Sequence, residues 1–195
     1  MKQRSTWLAN TVANTVANAV ANAAANAAAI AVTIGMATAA PWASAHITLE
    51  QKQAPAGSYY KAVLQVPHGC KGSATTAVRV RIPDGIFNAK PQPKPGWTLK
   101  ITRSKLAQPV DAGHGHVLAE RVSEIAWTGG PLPDDNFDEF RIVMKLPDRP
   151  GTTLYLPVVQ ECVKGSTRWI EQPDAARPGV EPEFPAPALQ LGAKP

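Results

Sequence analysis

The sequence predicts an all-β sandwich of antiparallel sheets, and three observations carry that expectation. Apolar and polar residues alternate with period two in several runs, the mark of strands with one face buried. Pro (19) and Gly (14) punctuate the 195-residue chain at short intervals. After the alanine-rich start, no stretch has the three-to-four-residue apolar spacing of an amphipathic helix.

The strands follow in order. Tyr60, Ala62, Leu64 and Val66 share one face, with Lys61 and Gln65 on the other. Thr76, Val78, Val80 and Ile82 alternate with Arg79 and Arg81, and Phe140, Ile142, Met144 and Leu146 with Arg141 and Lys145. Leu154, Leu156 and Val158 flank Tyr155 in a fourth run, and further strands are expected at 46–50, 97–103, 115–126 and 167–171. Turn signals separate them: Pro83-Asp-Gly85, Pro95-Gly96, Gly129-Gly-Pro131, Pro133-Asp-Asp135 and Pro150-Gly151. Eight or so short strands so spaced make a sandwich. Residues 173–195 hold six prolines and read as an extended or disordered tail, leaving 46–172 as the domain.

Residues 1–45 read as a signal peptide. Lys2 and Arg4 form a basic start, Ala27 to Ala40 an apolar segment, and Ala43-Ser-Ala45 a small-x-small cleavage signal after Pro41. Cleavage there makes His46 the first residue of an exported chain, periplasmic or extracellular. Removing Lys2 and Arg4 from 20 basic residues leaves 18 against 15 acidic ones. That weak excess has no dense basic tract and argues against a nucleic-acid partner. Stable membrane insertion after cleavage is not expected either.

Cys70 and Cys162 are the two cysteines. In an exported chain the pair reads as one disulfide, closing a loop of about 90 residues and worth on the order of 4–5 kcal/mol. Two metal-binding thiols are the alternative, although neither cysteine lies in a CxxC unit.

A new N-terminus at His46 has specific chemistry. A terminal α-amine titrates near 7.7–8.0 and gives up its proton at little cost at neutral pH. That nitrogen and Nδ1 of the same imidazole can grip one metal in a six-membered chelate, and two nitrogen donors suit Cu(II). His68, in Val66-Pro-His-Gly-Cys70, is a second imidazole candidate or a surface histidine. His114 and His116 read as a solvated Gly-rich turn. Trp97, Trp127 and Trp169 fit a sandwich core, and Trp169 could instead shield a metal from solvent. The run Asp134-Asp-Asn-Phe-Asp-Glu139 lacks calcium-loop spacing and reads as a solvated turn. No nucleophile elbow or phosphate loop is present, so an enzyme is not expected.

Several ordered motifs carry a family resemblance. They are His46-Ile-Thr-Leu-Glu50, Pro55-Ala-Gly-Ser-Tyr-Tyr60, Val66-Pro-His-Gly-Cys70, Gly72-Ser-Ala-Thr-Thr-Ala-Val-Arg-Val80 and Lys90-Pro-Gln-Pro-Lys-Pro-Gly-Trp97. Trp127-Thr-Gly-Gly130, Leu132-Pro-Asp-Asp135, Phe137-Asp-Glu-Phe140, Gln160-Glu-Cys162 and Arg168-Trp-Ile-Glu171 complete the set. Over residues 46–172 the chain resembles the YcnI-like family of secreted copper-binding domains. The resemblance implies an immunoglobulin- or cupredoxin-like sandwich holding one Cu(II). The mature N-terminal His, here His46, would supply amine and imidazole as a single-histidine brace. It maps Trp169 to the tryptophan beside copper. Gram-positive members add a glutamate after the Val-Pro step, where this chain has His68-Gly69, so His68, Glu50 or water are the alternatives for the third ligand. The implied role is copper trafficking, storage or chaperoning, with other periplasmic copper-handling proteins or a copper importer as partners. A copper oxidase or oxygenase and a metal-free interaction module are the competing classes.

Overall fold

The computed structural model describes residues 46–111 and 115–194. The expected signal peptide and His114 lie outside the described residues. Twelve strands are present among them, and no helix. The first of two main sheets contains β1 (Thr48–Leu49), β3 (Tyr59–Val66), β5 (Ala89–Pro91) and β8 (Asp138–Lys145), in the order β1-β3-β8-β5. In the second, β4 (Thr75–Arg81) lies between β10 (Val158–Cys162) and β7 (Val117–Leu132). Its edges are β11 (Ser166–Trp169), beside β10, and β6 (Trp97–Asp111), beside β7. A small third sheet joins β2 (Gln53–Pro55), β12 (Ala188–Gly192) and β9 (Thr153–Tyr155).

The alternation seen in the sequence is what closes the sandwich. Tyr60, Ala62, Leu64, Val66, Phe140, Ile142 and Met144 of the first sheet share one core with Val78, Val80, Ile125, Trp127 and Val158 of the second. Trp127 meets Phe140 across the sheets at 5.3 Å between ring centroids, and its indole N–H donates to the Gln92 carbonyl at 3.0 Å. Two opposed apolar faces excluding water in this way are the main source of stability.

Three expectations need correction. The tail does not stay outside the fold: β12 pairs in parallel with β2 and antiparallel with β9, and Leu189 and Leu191 are buried. Its prolines flank the five-residue strand rather than interrupting it. The run 154–158 is two strands, because Pro157 cannot donate to a ladder and the chain crosses from β9 in the small sheet to β10 in the second. The strands at 97–103 and 115–126 are pieces of a hairpin whose arms have 15 and 16 residues. The exposed distal part of that hairpin lacked the alternation that marks a half-buried strand.

Candidate metal centre

His46 stands at the start of the first strand. β1 pairs with β3 so that Thr48 faces Gln65 and Leu49 faces Leu64. Continued two residues toward the chain start, this register sets His46 level with Pro67, next to His68. Ile47 and Leu49 are buried in the core and fix the segment, leaving His46 half-buried at its end. From the opposite sheet, β11 brings Trp169 to the same place. The His46 and Trp169 rings lie 5.4 Å apart between centroids, at 59° between planes. On another side Trp169 meets Phe184 edge-on at 5.7 Å. The structure thus brings His46 and Trp169 together from opposite ends of the sequence.

His68 lies in the loop after β3, half-buried, with Nδ1 close to the Gly69 carbonyl at 2.5 Å. The loop is held at several points. Cys70 and Cys162 form the expected disulfide, with Cα atoms 6.0 Å apart. Cys70 N–H donates to Ser73 O at 2.9 Å and Ser73 N–H returns a bond to Cys70 O at 3.1 Å. Gly69 N–H donates to Asp134 Oδ1 at 2.9 Å. Asp134 is therefore a fastening for this loop, not the solvated turn residue that its acidic run suggested. The space at Gly69 is closed: a Cβ there would stand 1.9 Å from Ser73 O.

Gln160 was missed by sequence reasoning. Its side chain accepts the Trp169 indole N–H at 3.0 Å and donates to His68 O at 2.7 Å and Thr75 Oγ1 at 2.8 Å. The available signal was its position. On β10 it shares the inward face with Val158, where a polar residue needs partners.

Other candidates lie elsewhere. The Glu50 carboxylate acts on Tyr60, whose phenol is pushed from 10.0 up to about 12, chiefly by burial and secondly by that charge. Glu50, four residues along the chain from His46, donates its N–H to the Val63 carbonyl at 3.0 Å. His116 is exposed at the tip of the β6–β7 hairpin, whereas β11 forms the other edge of that sheet. Trp127 is a core residue, and Trp97 packs half-buried on Phe140.

Among the described residues, no three of His, Cys, Asp and Glu gather into a set able to hold a metal ion. A metal at His46 would therefore draw further donors from outside such a set, and the α-amine of a chain beginning at His46 would be one of them. With the His46 imidazole, that amine would suit one small borderline cation held by nitrogen, and the Trp169 indole lies beside the imidazole.

The fold agrees with a solved structure. A solved chain described as "Crystal structure of an uncharacterized protein from Nocardia farcinica reveals an immunoglobulin-like fold" is 31% identical. The match covers 76% of this chain and 99% of that one, with a TM-score of 0.57. No curated protein matches. The family model described as "Domain of unknown function (DUF1775)" matches residues 46–191, starting at His46 and running through β12. The chain belongs to the DUF1775 family, on an immunoglobulin-like sandwich.

Proposed function

We propose that this protein is an exported Cu(II)-binding protein of the YcnI-like kind, serving copper storage, trafficking or delivery. Copper is its cargo. Signal cleavage after Ala45 creates the binding group: the amine and Nδ1 of His46 chelate one Cu(II), and Trp169 covers one side. The observation that carries this reading is the His46–Trp169 contact at 5.4 Å. The family match that begins at His46 supports the cleavage position, and the disulfide suits an oxidising compartment.

The chemistry favours a carrier over an oxidase. An oxygen-activating copper needs open coordination positions, and an indole against the imidazole restricts access. The two nitrogen donors stabilise Cu(II), while His68 is the nearest further imidazole by the strand register. Periplasmic copper-handling proteins or a copper importer are the fitting exchange partners.

The test is a Cu(II) titration of the chain that starts at His46, followed by quenching of tryptophan emission. One equivalent should bind and His46→Ala should abolish it. Absence of binding by the intact mature chain refutes the proposal. Electron paramagnetic resonance of His68→Ala then decides the third ligand, through loss or retention of one nitrogen coupling.

A further inference from the structure

Gln160 and Thr75 are the buried polar side chains among the described residues, and they touch one another at 2.8 Å. Gln160 is 1% exposed on β10. In the β10–β11 pairing it faces Thr167, two residues before Trp169, which puts the indole within diagonal reach. Its partners fix which way the amide points. The indole N–H can only donate, so it takes the amide oxygen at 3.0 Å. The His68 carbonyl can only accept, so it takes the amide nitrogen at 2.7 Å. Thr75 Oγ1 takes the remaining N–H at 2.8 Å.

We propose that Gln160 is the positioning residue of the copper site: it holds the Trp169 indole against His46 and ties it to the His68 loop. This rests on the copper reading given above. Trp169 carries a single polar atom, and its bond to Gln160 limits rotation of the ring about its long axis. The ring face turned toward His46 is set by that bond together with the edge-on contact from Phe184. The same amide fixes the carbonyl of His68, so the aromatic wall and the loop behave as one unit. The disulfide closes that unit from behind, with Cys70 Sγ 3.8 Å from the Gln160 carbonyl. An indole N–H held by an oxygen acceptor also leaves more electron density on the ring, which strengthens its attraction for a cation at its face. Outer partners of this sort alter metal affinity by about 10–100-fold.

The experiment compares three chains beginning at His46: wild type, Gln160→Met and Gln160→Glu. Met keeps length and bulk but loses both ends of the bridge. Burial favours the protonated form of Glu, which keeps one acceptor and one donor. Without metal, proton resonances of the His46 ring report Trp169 through its ring current, and hydrogen exchange of the Trp169 indole reports the bond to Gln160. In wild type the His46 resonances should be displaced and the indole proton protected. Gln160→Met should lose both signatures and bind Cu(II) about tenfold more weakly. Gln160→Glu should restore both and most of the affinity. Unchanged His46 resonances and affinity in Gln160→Met overturn the proposal, as does a rapidly exchanging Trp169 indole in wild type, whether or not any variant folds. A wild-type chain that shows the metal-free signatures but binds no Cu(II) refutes the copper reading and leaves the positioning role standing.

Discussion

Substituting Gly69 by Ala is a severe test of how the His68 loop is built. The added Cβ would lie 1.9 Å from Ser73 O, 2.8 Å from Ser73 C and 3.0 Å from Asp134 Oδ1. The Ser73 carbonyl must retreat by about 1.5 Å to reach ordinary contact. It belongs to the paired bonds between Cys70 and Ser73, and the disulfide at Cys70 limits how the loop can yield. Losing those two bonds costs about 1 kcal/mol each, and weakening the charged Gly69–Asp134 bond adds about 1 kcal/mol or more. The sum is about 3 kcal/mol, which for a domain of this size lowers Tm by roughly 6–12 °C. Urea unfolding of the mature chain with its disulfide intact measures it. Gly72→Ala is the control: φ is +82° with nothing within 4 Å, so only the left-handed backbone penalty of about 1 kcal/mol applies. If Gly69→Ala lies within about 0.5 kcal/mol of wild type, or costs no more than Gly72→Ala, the account of this loop is wrong.

Further expectations concern stability at other points. Replacing Cys70 and Cys162 together by Ser opens a link across 92 residues and should cost about 4.6 kcal/mol in the chain-entropy picture, measured by denaturant unfolding; a loss under about 1 kcal/mol contradicts it. Leu189→Ala should cost about 3 kcal/mol, because this tail side chain is fully buried; a neutral result would show that β12 is not part of the core. The folded protein keeps the Tyr60 proton between pH 10.0 and about 12 while the unfolded chain releases it. Stability therefore falls as pH rises through that window. Tyr60→Phe should flatten this alkaline slope in unfolding curves taken at a series of pH values, and an unchanged slope refutes the assignment.

The sandwich was legible because its inner faces follow a strict period of two. Tyr60 to Val66 and Phe140 to Leu146 show it most clearly, and every inward residue named in those two runs is buried. The short strands β2 and β5 were not legible, since three residues cannot display a period. The strand β12 was hidden by neighbouring prolines, and the distal β6–β7 hairpin by its exposure on both faces. At the candidate site, the disulfide was legible from the cysteine pair, and His46 and Trp169, named as copper-site candidates from motif and position, lie side by side. Gln160 was not, because hydrogen bonds formed across 92 and 85 residues of sequence leave no local pattern. Asp134 was misread for the same reason: its partner Gly69 is 65 residues away.

The central claim is that the backbone amine of His46 is a copper ligand. The most direct measurement is electron paramagnetic resonance with Cu(II) on two chains, one starting at His46 and one carrying a single extra glycine before it. The first should hold one Cu(II) with nitrogen couplings from the amine and imidazole, and the second should lose that spectrum and its tight binding. Identical spectra and affinities from the two chains, or no specific signal from the first, would contradict the claim.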